Sequence, residues 1–304
     1  MVNLAADRIR ATFAAVGARG VLHACDVETP MRGISVDAGQ RVPLASTYKL
    51  LVAVAVLRAV DSGRLEPTQR IRVPVNRTPG PTGIGAMRDA VSMSVRDLLL
   101  LALTVSDNAA ADVLHDLAGD DNIQGVALDL SLRSVEVRGR VRDFVSSIPR
   151  DLGVAGSDVP AALAHPEARS KLSALDPSRT TAGSMRDLTR LLRAIWRDQA
   201  ASSASCAELR RLLGLQVWPH RIAAGFPEDD VAVSGKTATR PGLRGEAAVI
   251  EMPDGRSFAV AAMAHSVLLP LNQPRVDTAL GTAARIAVLA LHDADAGHDP
   301  QDRD

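Results

Sequence analysis

The sequence has few aromatic residues and no excess of charge of either sign. Its 304 residues include four Phe, two Trp and one Tyr, while Lys+Arg and Asp+Glu each number 35. Nucleic acids and anionic membranes bind basic faces, and single-stranded nucleic acids also stack on aromatic side chains. We therefore expect neither a nucleic acid nor a membrane as a partner.

Cysteine is scarce as well, since Cys25 and Cys206 are the only two in the chain. Two cysteines cannot form a disulfide framework or a Cys-rich zinc site. The seven histidines show no ligand spacing such as HExxH. The sequence therefore predicts no metal and no organic cofactor.

Long hydrophobic runs are also missing. The longest run, Leu50 to Leu57, is too short to cross a bilayer. Asp7, Arg8 and Arg10 interrupt the N-terminal segment, so it lacks the apolar core of a signal peptide. These features predict a cytoplasmic protein, and they leave its oligomeric state open.

Lysine is rare among the basic residues. Only Lys49, Lys171 and Lys236 are lysine, and the other 32 basic residues are arginine. Lysine can lose its proton in a protein, whereas arginine stays charged. A lysine in this chain is therefore a candidate for proton transfer, with chance retention as the alternative.

Strand-like segments lie near both ends of the chain. Residues 20–27 and 34–36 alternate as strands do, and residues 246–264 form a predicted hairpin around a Pro-Asp-Gly turn. Apolar and amphipathic helical segments occupy the middle. The simplest arrangement is an α+β fold, in which a mixed lobe with an antiparallel sheet built from both termini carries an inserted all-helical lobe.

The domain boundaries follow from this arrangement. We predict a discontinuous α/β lobe over residues 1–44 and 206–292, and a helical lobe over residues 45–205. Within the helical lobe, residues 138–179 contain scattered Gly, Pro, Ser and Asp, which predicts an enlarged irregular loop. Residues 293–304 are predicted to be a polar tail.

A serine and a lysine stand one helical turn apart where the most apolar helix begins. Lys49 is three positions after Ser46, so the two lie on the same face of a helix. A lysine with a lowered pKa can act as the base that a serine nucleophile needs. The structural alternative is a helix-capping serine with a lysine that extends to solvent.

Two further polar motifs follow. Ser106-Asp107-Asn108 lies between two predicted helices, where the alternative is a helix cap. Ser234-Gly235-Lys236-Thr237 ends a strand-like run and could also indicate a phosphate-binding loop. That loop needs a glycine at position 230, which is Asp230, and a helix after Thr237, where ATRPG follows instead.

Together the motifs resemble those of a known superfamily. SxxK (Ser46–Lys49), SDN (Ser106–Asn108) and KTA (Lys236–Ala238) are similar, in order, to the SxxK, SDN and KTG motifs of class A β-lactamases and penicillin-binding proteins. The resemblance covers almost the whole chain apart from residues 138–179. It extends along RVPLASTYKLLVAVAVLRAVDSGRL, MSVRDLLLLALTVSDNAAADVLHDLAG, TTAGSM, WPHRIAAGFP and LRGEAAVIEMPDGRSFAVA.

This resemblance implies the catalytic roles. Ser46 would be the acylated nucleophile and Lys49 its general base. Ser106 would relay a proton to the leaving nitrogen. The backbone N–H groups of Ser46 and Thr239 would form the oxyanion hole.

The resemblance also implies a substrate that carries a carboxylate. Lys236 would bind this carboxylate, with help from Thr237. Arg244 stands where class A enzymes often have a second carboxylate-binding residue, although a solvated strand arginine is the alternative. Asn108 would bind the side-chain amide of the substrate.

The sequence departs from the class A pattern in three ways. Ala238 replaces the usual glycine, which predicts a narrower cleft. The Glu-x-x-x-Asn motif, whose glutamate positions the deacylating water, is missing from residues 138–179. Asp143 is the carboxylate nearest to the position expected for that glutamate. Glu136 and Glu167 do not stand in the sequence context of the motif. Roughly 25 additional residues separate the second and third motifs.

These observations predict a serine hydrolase or acyltransferase that works through an acyl-Ser46 intermediate. Its substrate would be a small amide, ester or lactam with a carboxylate. A true β-lactamase with a substitute deacylation base is one alternative. A ligand-binding protein without turnover is another.

Overall fold

The computed structural model describes residues 2–165 and 167–296, and a five-stranded antiparallel sheet lies at its centre. The chain forms the strands β1 (Ala18–Asp26), β2 (Gly33–Val36), β3 (Val42–Pro43), β4 (Arg70–Val73), β5 (Val91–Ser94), β6 (Ala182–Gly183), β7 (Ala232–Arg240), β8 (Leu243–Glu251) and β9 (Ser257–Ser266). The order in the main sheet is β2-β1-β9-β8-β7, and the pairs β3-β6 and β4-β5 are separate. Strands from both ends of the chain therefore share one sheet.

Eleven α-helices surround the sheet in the described residues. They are α1 (Val2–Ala14), α2 (Lys49–Asp61), α3 (Val95–Thr104), α4 (Asn108–Ala118), α5 (Asp120–Asp129), α6 (Val141–Leu152), α7 (Val159–Leu163), α8 (Ala168–Lys171), α9 (Met185–Trp196), α10 (Ser203–Gly214) and α11 (Pro274–Ala296). The predicted α+β fold is confirmed. The lobe boundaries within it stay a prediction.

The sheet separates two hydrophobic cores. In β9, Phe258 and Val260 point to the core formed with α1 and α11, whereas Ala259 and Ala261 point to the core formed with the central helices. Successive side chains of a strand face opposite sides of the sheet, so a strand covered on both faces is apolar throughout. This explains why β8 and β9 have few polar residues.

The segment 138–179 is not the irregular loop that we predicted. It contains α6, α7 and α8, and its apolar residues pack in a small cluster around Ala168, Leu172 and Leu269. Asp112 fixes the first turn of α6 by accepting hydrogen bonds from the Val141 and Arg142 N–H groups, at 2.7 and 2.9 Å. A carboxylate is favourable at a helix N-terminus. The scattered Gly and Pro concealed these short helices.

The predicted polar tail is also partly helical. The last helix runs to residue 296, so residues 293–296 belong to α11, and residues 297–304 lie outside the described part of the chain. Among the described helices, none is both long enough and apolar enough to cross a membrane.

Candidate active site

Ser46 lies in a short 3₁₀ helix, Ala45–Tyr48, that leads directly into α2. Ala45 has a φ of 47°, a left-handed conformation that is costly for a residue with a Cβ atom. Strain of this kind concentrates at functional sites, where the surrounding structure holds it in place. Ser46 is partly exposed and lines two adjoining cavities.

Lys49 opens α2 and is 1% exposed. Its Nζ lies 2.7 Å from the Ser106 carbonyl oxygen, 3.1 Å from both the Asp107 carbonyl oxygen and Asn108 Oδ1, and 3.3 Å from Ser106 Oγ. Burial lowers the pKa of Lys49 to about 7, although the charge of Asp107 opposes the shift. A substantial fraction of Lys49 is therefore neutral near pH 7 and able to accept a proton.

Ser106 lies in the connection between α3 and α4 and has a φ of 59°. Asp107 holds this connection, because its carboxylate accepts from the Ala109 N–H at 2.9 Å and from the Ile84 N–H at 2.5 Å. The first bond caps α4 and the second ties it to the neighbouring loop. The Ser106 hydroxyl is thereby directed towards the two buried lysines.

Lys236 approaches Ser106 from β7. Its Nζ is 2.9 Å from Ser106 Oγ and 3.0 Å from the Thr237 carbonyl oxygen, and the side chain is fully buried. Burial, followed by the positive charges of Lys49 and Arg221, lowers the pKa of Lys236 well below its usual value. Two amines from opposite sides of the cleft thus contact one hydroxyl.

The structure brings three of the four predicted catalytic side chains into contact. Lys49, Ser106 and Lys236 meet at the Ser106 hydroxyl. Ser46 lines the same cavity as Ser106, but no hydrogen bond in the described residues joins the Ser46 hydroxyl to either lysine. The predicted contact of Ser46 with this group is therefore absent from this conformation.

The residues predicted to bind substrate line the cleft or its walls. Asn108 and Thr239 line both cavities, and Thr237 lines the larger one. Thr237 Oγ1 donates to Gln216 Oε1 at 3.1 Å, and Thr239 Oγ1 accepts from Arg221 Nη2 at 2.7 Å. These bonds fix the hydroxyls on the strand that faces Ser46.

Arg244 also borders the larger cavity, but its charge is shared with a carboxylate. Its Nε donates to Asp277 Oδ1 at 2.9 Å, and its Nη2 forms an ion pair with Asp277 Oδ2. Arg221 donates to the same Oδ1 at 2.8 Å. Asp277, on α11, thus neutralises part of the charge of two buried arginines.

Sequence reasoning missed Arg221 and Asp277. Arg221 is 2% exposed and also donates to the carbonyl oxygens of Ala238 and Gly245, at 2.7 and 2.8 Å. It therefore joins β7 to β8 beside the cleft. The segment WPHRIAAGFP, which carries part of the family resemblance, contains Arg221. Its partner Asp277, however, lies 56 residues away on another element.

Ala238 does not narrow the cleft as we predicted. Its side chain is fully buried in the core and lines neither cavity. It faces Gly245 across the β7–β8 ladder, so the pair contributes only one methyl group at that position. The expected effect on substrate fit stays a prediction.

Two cavities of different character meet at Ser46. The apolar cavity, of about 480 Å³, is lined by Val145, Ile148, Leu163, Trp218 and Leu271, together with Ser46, Ser106, Thr237 and the arginines Arg221, Arg240 and Arg244. The arginine cavity, of about 250 Å³, is lined by Arg138, Arg140, Arg150, Arg179 and Arg240, together with Ser46 and Tyr48. Helix α6 borders both, and Phe144 on it lines both.

The structure also places the three carboxylates that we considered as deacylation bases. Asp143 lines the arginine cavity, but it is exposed and Oδ2 accepts from the Arg140 N–H at 2.8 Å. Glu136 forms ion pairs with Arg41 and Arg138, and Glu167 lies exposed before α8, outside both cavities. Asp143 is thus the one candidate that borders the Ser46 site.

The model of the β-lactamase enzyme family matches residues 4–291. The β-lactamase regulatory protein BlaB of Streptomyces cacaoi is 30% identical over 269 residues, which cover 83% of this chain and 86% of that protein. A β-lactamase of Amycolatopsis lactamdurans is 27% identical over 261 residues, covering 85% and 76% of the two chains.

Solved structures show the same fold. A β-lactamase from Sphaerobacter thermophilus DSM 20745 superposes with a TM-score of 0.77 at 23% identity, over 95% of this chain and 97% of that one. PBP-A superposes with a TM-score of 0.76 at 19% identity, over 97% of both chains. The architecture described above is therefore shared with proteins of quite different sequence.

We predict that Asp277→Asn destabilises the fold. Removing one partner of a buried ion pair typically costs about 3 to 5 kcal/mol, because the remaining charge stays buried without compensation. Two arginines would lose their carboxylate here. Urea denaturation should show a lower free energy of unfolding than for Asp89→Asn, a control at an exposed position. Equal stability of the two variants would contradict the role assigned to Asp277.

Proposed function

Because the chain belongs to the β-lactamase enzyme family, we propose that it is a serine hydrolase or acyltransferase that forms an acyl-Ser46 intermediate. Its substrate is an amide, ester or lactam that carries a carboxylate. The observation that supports this most strongly is the contact of Lys49 and Lys236 with the Ser106 hydroxyl beside Ser46. This arrangement offers a nucleophile, a base and a proton relay at one cleft.

In the proposed acylation, neutral Lys49 accepts the proton of Ser46 and Oγ attacks the substrate carbonyl carbon. The N–H groups of Ser46 and Thr239 stabilise the oxyanion. When the carbonyl–nitrogen bond breaks, Ser106 donates its proton to the leaving nitrogen and recovers one from Lys49. The Ser46 ester and the free amine are the products.

Lys236 and Thr237 hold the substrate carboxylate in this proposal. Arg244 adds a second positive charge near the substrate carboxylate, although its ion pair with Asp277 neutralises part of that charge. Asn108 binds a side-chain amide, and the apolar cavity accepts the rest of the acyl group. A cytoplasmic location stays a prediction.

Deacylation by water is proposed to be slow. Asp143 borders the site, but the Arg140 N–H holds its carboxylate at the start of α6. Without a positioned base, water attacks the acyl ester poorly. A true β-lactamase that uses Asp143 as a substitute base is the first alternative.

A second candidate function is ligand binding without turnover. It is favoured by one observation, namely that a relative of 30% identity bears the name of a β-lactamase regulatory protein. In this case the same cleft would bind a carboxylate-bearing molecule and signal its presence. A ligand-binding protein of this kind would hold the molecule without forming an acyl-Ser46 ester.

We predict that penicillin G or an activated aryl ester modifies Ser46 covalently. Intact-protein mass spectrometry should detect the adduct in the wild type and in Ser62→Ala, a control serine at the other end of α2. Ser46→Ala should form none, and Lys49→Ala should react about 10² to 10⁴ times more slowly because it lacks the base. An unmodified wild type with bound ligand would favour the binding function instead.

We further predict that the acylation rate rises with pH around pH 7. Lys49 must be neutral to accept the Ser46 proton, and its pKa is lowered to about 7. The rate of adduct formation should therefore increase about tenfold per pH unit below this value and level off above it. The rise should be missing in Lys49→Ala. A wild-type rate that is flat between about pH 5 and pH 8 would argue against Lys49 as the base.

We predict slow turnover, because the glutamate that positions the deacylating water is missing. A chromogenic cephalosporin should give a stoichiometric burst followed by a slow steady state, because acyl-Ser46 accumulates. Asp143→Asn should behave like the wild type. Rapid linear turnover that Asp143→Asn abolishes would instead support the true β-lactamase.

A further inference from the structure

The arginine cavity carries positive charge that the proposed acylation does not use. Asp143 is the only acidic residue among the described residues that line it. Two of its five arginines, Arg138 and Arg140, form ion pairs with Glu136 and Asp116 outside the cavity. The positive charges of the other three, Arg150, Arg179 and Arg240, are less fully balanced by neighbouring carboxylates.

Arg240 is the most unusual of these residues. It directly follows Thr239, is 5% exposed, and donates from Nη1 to the Ala174 carbonyl oxygen at 2.8 Å and to Thr180 Oγ1 at 2.9 Å. Its guanidinium lies 4.0 Å from the centroid of the Phe144 ring. All of these contacts are to neutral groups, and no described carboxylate forms an ion pair with it. Its buried Nε has no hydrogen-bond partner in the described residues.

This lack of a counter-charge is costly. Burial lowers the pKa of Arg240 to about 9, yet the group remains charged near pH 7. Arg221 and Arg244 are buried to a similar extent, but each is paired with Asp277. A buried cation without an anion is unfavourable, so Arg240 would be stabilised by an anion that enters the cavity.

Tyr48 provides a second unsatisfied group in the same cavity. Its hydroxyl is buried and has no hydrogen-bond partner in the described residues. Burial raises the pKa of Tyr48, so the hydroxyl keeps its proton and can donate it. Buried polar groups without partners are rare, and each one requires an explanation such as a bound ligand.

The position of the cavity relative to Ser46 indicates the role of such a ligand. Ser106 and Thr237, which the proposed function assigns to the acyl donor, line the apolar cavity and not the arginine cavity. Four residues that the argument uses line both cavities, namely Ser46, Asn108, Thr239 and Arg240. A donor that contacts Ser106 and Thr237 would therefore leave the part of the arginine cavity around Tyr48 open, with access to the acyl ester at Ser46.

We propose that the arginine cavity binds an acyl acceptor that carries an anionic group, a carboxylate or a phosphate type, and presents an amine to acyl-Ser46. Arg240 and Tyr48 bind the anionic group. The amine nitrogen attacks the ester carbonyl carbon, so that a carbon–nitrogen bond forms and the bond to Ser46 Oγ breaks. The amine proton passes to Lys49 and then to Ser46 Oγ. This inference rests on the proposed function and names its acceptor.

The test measures how acyl-Ser46 partitions between water and added amines. The acyl-enzyme is formed with an activated aryl ester and then treated with glycine, β-alanine or γ-aminobutyrate, each compared with its neutral amide at equal free-amine concentration. Aminomethylphosphonate distinguishes a phosphate-type group from a carboxylate. At least one anionic amine should accelerate deacylation with saturation, about tenfold more than its neutral counterpart, and give the acylated amine as product.

The matched variants are Arg240→Gln and Tyr48→Phe, with Arg72→Gln, an exposed arginine on β4, as the control. Arg240→Gln should remove most of the preference for the anionic amine over the amide, and Tyr48→Phe should reduce it. Arg72→Gln should keep it. If a variant slows deacylation equally with the anionic amine and with its neutral amide, the residue has a structural role, and the assignment is overturned.

The two levels of the proposal fail in different ways. If Ser46 is never acylated, the proposed function is wrong, and the acceptor assignment is wrong with it. If acyl-Ser46 forms but no anionic amine accelerates deacylation more than its neutral amide does, the acceptor assignment alone is overturned.

Discussion

The burial of two lysines around one serine hydroxyl is the constraint on which the site depends. Lys49 begins α2, Ser106 joins α3 to α4, and Lys236 lies in β7, so three separate elements meet at the Ser106 Oγ. Two ammonium groups that contact the same hydroxyl cannot both stay charged in a dry interior without a large cost in free energy. The fold therefore favours loss of a proton from this pair of amines, and the proposed base requires that the neutral amine is Lys49.

The remaining charges around the cleft follow from this arrangement. Asp277 compensates Arg221 and Arg244, and their bonds hold β7 and β8 beside the site. Arg240, on the same strand as Lys236, has no carboxylate partner in the part of the chain that the structure describes. Arg221 and Arg244 are thus paired with Asp277 and position the strands beside the cleft. Arg240 forms no ion pair in the described residues, and it lines the cavity that is proposed to bind a ligand.

The sequence predicted the features that depend on local pattern. The motifs placed Lys49, Ser106 and Lys236 correctly relative to one another, and alternation predicted the strands at both ends. It did not predict α6, because Pro149 and the neighbouring glycines masked a helix that Asp112 anchors from another element. The pairing of Arg244 with Asp277, 33 residues away, likewise depends on tertiary packing. Burial and long-range ion pairs follow from the whole fold and not from one segment.

An NMR titration of the lysines, labelled with ¹³C at Cε, shows whether Lys49 is neutral near pH 7. The chain has only three lysines, so Lys171→Arg and Lys236→Arg suffice to assign the Lys49 resonance. This resonance should titrate with a midpoint of about 7 in the folded protein. A Lys49 midpoint near the ordinary value of 10.5 would show that the amine stays charged at neutral pH, and it would contradict the role of Lys49 as the base.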